Sequence, residues 1–276
     1  LLRGKGAVQA KAGGTDLIGL MKDRVISPER VVNLQGLGLR DIEMGRTARI
    51  GALVTLDEVG RSVELNRGFT ALAVAAAESA TPQIRNMATV GGSLCQSSRC
   101  WYFRNEAFDC RKRGGKSCPA IEGENRQHAI FENAACCSVH PSSLGTALVC
   151  LEGALEIAGP EGSRTISSEQ FFDTGGDPSR DHSLKKGEMI TGITISPGWK
   201  SVYMEVRERQ SFDWPLVSIA RAQKNGVVRT VFGGVAPRPW LVKEDDIFAG
   251  IRTLSRNGYK KKLMKTLFER ASEALR

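Results

Sequence analysis

Apolar and polar positions follow two periods along this chain, and the changes between them mark out its elements. Ala7-Val8-Gln9-Ala10 reads as a short strand, Leu17, Leu20 and Met21 fall at helical spacing, and Val31-Val32-Asn33-Leu34 reads as a second strand. Strand, helix and strand in that order predict a β-α-β unit. Arg49-Ile50-Gly51-Ala52 is a further strand. Thr55, followed three residues on by Glu58, makes a capping box and predicts a helix carrying Leu56, Val59 and Val63. An alanine-rich stretch from Phe69 to Ala80 predicts a closely packing helix that stops at Thr81-Pro82.

From about Ser93 to His140 neither period is present. The pattern then returns, with Leu144, Leu148 and Leu151 on one face of a helix between Ser142 and Glu152. Residues 154–158 and 164–166 read as a hairpin around Gly159-Pro160-Glu161-Gly162, and 189–195 as a strand. Past Pro197-Gly198 come strands at 201–207, 216–223 and 227–235, with Asn225-Gly226 as a tight turn. An amphipathic helix over 262–275 carries Leu263, Leu267 and Ala271. The fold class is α+β, with a large domain over 1–196 and a small α+β domain over 197–276. Leu1-Leu2-Arg3 reads as the end of an amphipathic helix, so the chain is read as truncated at its N-terminus.

Composition narrows the function. The 276 residues are 41% hydrophobic and 25% charged, as in a globular protein. No apolar run approaches the roughly 18 residues of a membrane span. The net charge of +9 is spread along the chain; only Arg111-Lys112-Arg113 and Lys260-Lys261-Lys262 form runs, and no nucleic-acid motif accompanies them. A solvated basic surface, or one that docks an acidic partner, is the reading, and no nucleic acid is expected.

The aperiodic segment holds the chemistry. Six of the seven cysteines lie between Arg85 and Ser143. An odd count with no secretory leader predicts reduced thiols in the cytoplasm. Cys100, Cys110, Cys118 and Cys136 are spaced C-x9-C-x7-C-x17-C, without the close pairs typical of zinc sites, which points to an iron–sulfur cluster. Arg99, Arg104, Arg111, Lys112 and Arg113 are placed to offset four thiolates, and Trp101 and Tyr102 to shield the cluster from water. Cys137 competes with Cys136, and spacing does not choose between them. Cys95 is a spare, Cys150 reads as a buried hydrophobe, and His140, before a proline at a helix start, reads as structural.

Two glycine turns flank this segment's beginning. Ala12-Gly13-Gly14-Thr15-Asp16 stands between strand and helix, where free N–H groups and a hydroxyl suit an anion, though a plain tight turn fits that motif equally well. Thr89-Val90-Gly91-Gly92-Ser93 repeats the chemistry. The two together suggest loops gripping one extended phosphate ligand.

At this point the set of motifs becomes specific. AGGTDL at 12–17, RIGA at 49–52, IRNMATVGG at 84–92, RCWYFR at 99–104, GEN at 123–125, HAIF at 128–131 and VHPS at 139–142 resemble the FAD-binding (medium) subunit of the molybdenum hydroxylase, or xanthine dehydrogenase, family. The cysteines resemble the branch in which this subunit carries an extra [4Fe-4S] cluster, as in aldehyde oxidoreductase and 4-hydroxybenzoyl-CoA reductase. The resemblance implies a two-subdomain FAD-binding fold (PCMH-type) with the cluster insert at about 95–140, then the small C-terminal domain. It implies that Gln9, Ala10, Lys11, Ala12, Gly13, Gly14, Thr15, Asp16 and Leu17 wrap the FAD pyrophosphate. Thr89, Gly92 and Ser93 would touch the cofactor from the second loop, Ser143 from a helix start, and the strand at Ile190 would lie near the adenine. It also selects Cys136 as the fourth cluster ligand.

The chain departs from the family at Ser143, where an aspartate is usual, and at Glu205, where a lysine is usual and where Arg207 or Arg209 would compensate. The stretch between Gly250 and Asn257 is also shorter. The implied function is electron transfer between iron–sulfur centres and an external acceptor through FAD. Partners would be a molybdenum-cofactor subunit and a [2Fe-2S] subunit. The organic substrate reacts on a partner, so no catalytic residue is expected here. The location would be cytoplasmic, or periplasmic if a partner carries the chain there. The rival reading is a metal-stapled interaction module without flavin.

Overall fold

A computed structural model describes residues 7–209, 211–243 and 246–276. The helix end expected at Leu1–Arg3 lies outside them. β1 (Val8–Lys11) and β2 (Arg30–Asn33) pair in parallel, with α1 (Leu17–Lys22) between them, which is the β-α-β unit. β3 (Ile42–Met44) and β4 (Ala48–Gly51) follow as an antiparallel pair.

α2 (Leu56–Arg61) starts at the capping box: the Glu58 N–H donates to the Thr55 hydroxyl at 3.2 Å, and the Thr55 N–H donates to the Glu58 carboxylate at 2.7 Å. The helix does not run on to Val63. Ser62 is extended and its hydroxyl accepts from the Leu65 N–H, so a second helix, α3 (Val63–Gly68), begins there with Val63 exposed. A serine hydroxyl that competes for backbone N–H groups breaks the helix that hydrophobic spacing alone predicts. α4 (Thr70–Glu78) is the alanine-rich helix, and it buries Ala71, Leu72, Ala73, Ala75 and Ala76. α5 (Pro82–Arg85) and α6 (Val90–Leu94) follow. From there to α7 (Ser143–Cys150), the one regular piece among the described residues is a 3-10 turn at Arg111–Arg113.

β5 (Ala154–Gly159) and β6 (Gly162–Ser167) form the hairpin, α8 (Ser168–Phe172) caps it, and β7 (Met189–Ile195) enters between β4 and β5. The result is a five-stranded antiparallel sheet in the order β3-β4-β7-β5-β6. β8 (Lys200–Val206), β9 (Val217–Lys224), β10 (Val227–Gly233) and the short β11 (Trp240–Leu241) form a second antiparallel sheet, ordered β11-β10-β9-β8. Its tight turn has Asn225 at φ 50° and Gly226 at φ 80°, the left-handed pair a two-residue hairpin needs. α9 (Lys260–Leu275) closes the chain.

Alternation along β8 to β10 splits the second sheet between two cores. Tyr203, Ala220, Ala222 and Val231 face α4 and α7 and join the main core with Leu72, Leu148, Leu155 and Ile193. Val217, Ile219 and Phe232 face the other way, onto Met264, Leu267 and Ala271 of α9, together with Ile130 and Phe131 from the aperiodic segment.

That segment is tied down by polar staples. Asn125, fully buried, donates to the carbonyls of Ala120 and Gly123 and to the Ser255 hydroxyl, and accepts from the Arg256 N–H. The Asn257 amide donates to the carbonyls of His128 and Ala129, and the Asn133 amide to those of Ala129 and Arg252. Lys260, also fully buried, donates to the carbonyls of Gln127 (3.0 Å) and Gly234 (2.6 Å). A buried polar group is tolerated when its bonding capacity is met, and these groups use that capacity on backbone no strand pairs with.

Candidate functional site

The two glycine segments meet, although the second, read as a turn, is the helix α6 with Thr89 as its cap. A Cβ on Gly13 would stand 1.7 Å from the Met87 carbonyl oxygen, so the β1–α1 turn lies directly on the backbone that leads into the second turn. Only glycine permits that approach. Thr89 caps α6 by accepting from the Gly92 N–H at 3.1 Å. Ser142 caps α7 by accepting from the Gly145 N–H at 3.0 Å, and its hydroxyl is 3.1 Å from that of Ser93. The starts of α1, α6 and α7 are thereby held around one cleft of about 190 Å³, whose lining includes Thr15, Asp16, Gly92, Ser93 and Ser143 with Arg99, Glu205, Arg207 and Trp214. At α6 the N–H groups are taken, Val90 by the Val54 carbonyl, Gly91 by that of Ala52, Gly92 by the Thr89 hydroxyl and Ser93 by the Thr89 carbonyl. The donors on the cleft wall are therefore the hydroxyls of Thr15, Ser93 and Ser143 and the guanidinium groups of Arg99 and Arg207, which suit an anionic ligand with a flat apolar part against Trp214.

Other expected site residues stand further back. Gln9, Ala10, Lys11, Ala12, Gly13 and Gly14 form the strand and turn behind Thr15, Leu17 opens α1, and Thr89 acts as a cap. Ile190 is 4% exposed, sits opposite Ile157 in the sheet, and belongs to the main core, not the cleft lining.

Asp16 corrects one reading of the sequence. Its carboxylate accepts from Arg104 at 2.7 Å and from the Ser97 N–H at 2.8 Å, and pairs with Arg99 at 3.1 Å. Arg99 and Arg104, expected to balance thiolates, instead converge on this part-buried carboxylate, which needs cations close by in a poorly solvated place. Arg99 also lies over the Trp214 ring, 4.8 Å from its centroid, and burial pulls its guanidinium below the ordinary arginine value.

On the opposite wall the Tyr203 hydroxyl donates to Glu205 at 2.8 Å, and Ser143 also hydrogen-bonds Tyr203. Burial pushes both the Glu205 carboxyl and the Tyr203 phenol up. Arg207 pairs with Glu205 and reaches Glu78, while Arg209 turns to Asp213 at 3.6 Å. Of the two arginines proposed to offset Glu205, Arg207 is the one in contact.

Cys100, Cys110, Cys118 and Cys136 line one small cavity with Tyr102, Phe103, Arg111, Lys112, Pro119 and Ser138. Cys137 is absent from its lining, but its fully buried thiol hydrogen-bonds Cys118, which does line it, and lies 3.3 Å from the Asn133 carbonyl. Cys150 lies in the main core, and Cys95 packs against that core with its thiol pushed up to about 12 by burial. Burial likewise pushes Cys100 up to about 12 and raises Cys136, which Lys112 partly offsets. Cys118 is lowered by hydrogen bonding from Cys137, with a smaller contribution from Arg111. Arg113 instead donates to the carbonyls of Asn105 and Phe108, and Trp101 sets its ring edge-on to His128 at 5.0 Å. Among the described residues, no group of three or more His, Cys, Asp or Glu is placed to hold a metal ion as it stands.

Sequence reasoning missed two neighbours of these thiols. His128 Nε2 is 3.2 Å from Cys100 Sγ, and the Ser138 hydroxyl is 3.2 Å from Cys136 Sγ. Ser138, two residues after Cys136, was visible as a local Cys-x-Ser pattern; no spacing rule pairs His128 with a cysteine 28 residues away. His140 is buried against Phe172 at 4.6 Å, neither ring nitrogen has a hydrogen-bond partner, and burial depresses its pKa to about 3.

A further cavity of about 220 Å³ joins the two sites. It shares Arg99, Ser143 and Trp214 with the cleft, and Cys100 and Ser138 with the cysteine cavity. Among the described residues, no helix is long and apolar enough to cross a membrane.

Comparisons with known proteins agree with this architecture. The family described as "FAD binding domain in molybdopterin dehydrogenase" matches residues 1–197. The aldehyde oxidoreductase FAD-binding subunit PaoB of Escherichia coli is 38% identical over 244 residues, covering 85% of this chain and 77% of that protein. The glyceraldehyde dehydrogenase medium chain of Sulfolobus acidocaldarius is 24% identical, covering 88% and 73%. The structure of reconstituted CO dehydrogenase from Oligotropha carboxidovorans superposes with a TM-score of 0.71 at 21% identity, over 96% of this chain and 88% of that one. The chain belongs to the family of FAD-binding domains of molybdopterin dehydrogenases.

Proposed function

We propose that this chain is the FAD-binding, electron-transfer subunit of a multisubunit molybdenum-containing oxidoreductase of the xanthine and aldehyde dehydrogenase type. The observation that carries the reading is the meeting of the two glycine turns and the α7 start around one cleft. Thr15, Gly92 and Ser93 would hold the pyrophosphate of FAD, with Gln9 to Asp16 as the rigid turn behind it, and Ser143 and Trp214 would border the ring. The adenine would lie toward the strand containing Ile190. With serine at position 143, the cofactor is held through a hydroxyl without a charge-assisted bond.

The same reading assigns a [4Fe-4S] cluster to Cys100, Cys110, Cys118 and Cys136. Four thiols lining one cavity supply the cluster's donor set. FAD supplies two-electron and one-electron chemistry and the cluster one-electron chemistry. The chain's own residues bind these groups, exclude water and set their electrostatics. The organic substrate reacts on a molybdenum-cofactor subunit, a [2Fe-2S] subunit completes the complex, and an external acceptor takes or supplies the electrons. The cytoplasm is the proposed location.

Anaerobic purification tests the proposal. Flavin absorbance, released on heating, together with about four non-haem irons per chain, is the expected result. Zinc in place of iron with no flavin would sink it and leave the metal-stapled interaction module.

A further inference from the structure

Resting on the assignment of an iron–sulfur cluster to the four thiols, we propose that His128 and Ser138 donate hydrogen bonds to the Cys100 and Cys136 thiolates and raise the cluster's midpoint potential. His128 is 3% exposed, and its Nε2 lies 3.2 Å from Cys100 Sγ. Ser138 is 5% exposed, and its hydroxyl lies 3.2 Å from Cys136 Sγ. Both residues line the cavity that adjoins the flavin cleft. Both donors therefore lie on the side of the cysteine site that faces the cleft.

The histidine is held in place for this role. Its backbone carbonyl accepts from the Asn257 amide at 3.3 Å, and its ring is wedged edge-on against Trp101. Its Nδ1 is buried without a partner. A proton on Nε2 points at sulfur; the other tautomer would set a nitrogen lone pair against the sulfur lone pairs. Reduction adds negative charge that spreads onto the thiolates. A donor aimed at those sulfurs therefore favours the reduced form over the oxidised one, and the potential rises. Neither residue is a ligand. Both act through the cysteines they touch, so they are positioning residues.

The test is an anaerobic redox titration of the protein with its partner subunits, read by the electron paramagnetic resonance signal of the reduced cluster, after iron has been counted. His128→Phe lowers the midpoint potential at unchanged iron content. Ser138→Ala lowers it by a smaller amount, because a hydroxyl is the weaker donor. His128→Gln, whose amide restores an N–H, returns the potential toward the starting value. If His128→Phe sheds its cluster, His128→Leu and Ser138→Ala decide by the same criterion. Phe, Leu or Ala variants that keep their iron and titrate at the unaltered potential overturn the proposal. Unaltered protein with no iron–sulfur signal overturns the cluster assignment itself, which the iron count reveals first.

Discussion

α7 buries every side chain from Leu144 to Cys150, whereas the stretch just upstream, from Cys95 to Ser142, shows only a single 3-10 turn. The two regions are adjacent in sequence and anchored by different means. Around α7 the anchoring is apolar: Leu72, Leu148, Leu155 and Ile193 share one core, and the hydrophobic effect rewards each in proportion to the area it hides. In the upstream segment, beside the apolar contacts of Ile130 and Phe131, much of it is directional. Asn125, Asn133, Asn257, Lys112 and Lys260 each satisfy backbone carbonyls that no strand reaches, and four thiols face one cavity. A region built this way tolerates loss of apolar area better than loss of one partner, because an unpaired buried polar group costs more than a made bond yields.

The largest expected effect breaks the thiol cavity. Cys110→Ser should remove iron almost entirely and open residues 95–140 to limited proteolysis, while the helices of the main core keep their far-ultraviolet signal. Loss of that helical signal at the same rate would show that the two regions are not held independently. Next comes Lys112→Ala. Lys112 donates to the carbonyls of Pro178 and Arg180 at 3.1 Å and pairs with the poorly exposed Asp181 at 2.9 Å, so its loss strands three acceptors at a cost of about 3–5 kcal/mol. Leu148→Ala in the main core should cost about 2–5 kcal/mol, and unlike Lys112→Ala it should leave the protease sensitivity of the cysteine segment unchanged. Urea unfolding with parallel digestion separates the two.

The smallest expected effect is a pH slope. His140 has its pKa depressed by burial to about 3, so between its unfolded value near 6.5 and that point the unfolded chain binds the extra proton. The stability this histidine contributes is present above about pH 6.5 and lost as the pH falls, by roughly 1.4 kcal/mol per unit at most. Burial depresses His128 and His182 in the same sense, so the loss measured by urea unfolding between neutral pH and about one unit below 6.5 should be smaller in His140→Gln by about 1 kcal/mol. An identical slope in that variant would show that His140 is not the source.

Local rules carried much of the fold. The Thr55–Glu58 capping box, the β-α-β start, the hairpin around Gly159 to Gly162 and the Asn225-Gly226 turn all rest on residues within a few positions of each other, and all are present. The helix break at Ser62 was within reach of the same reasoning, but the apolar spacing of Leu56, Val59 and Val63 outweighed the serine. The short α8 and β3 were missed because so few residues leave no period to read. At the site, the cysteines and glycine turns stood out by residue type. The partners of Asp16 did not, because Arg104 lies 88 residues away and its expected role beside the thiolates was chemically just as reasonable.

By itself, then, the sequence determined most of the longer regular segments, where glycine is needed, and which side chains bear thiols or hydroxyls, because these follow from sterics and covalent chemistry over a few residues. Tertiary structure alone decided that Gly13 lies on Met87, that Arg99 and Arg104 serve Asp16 and that His128 meets Cys100. Each of those contacts joins distant segments or depends on which way a side chain turns. Only the closed fold, by removing water from around them, decides which donor meets which acceptor.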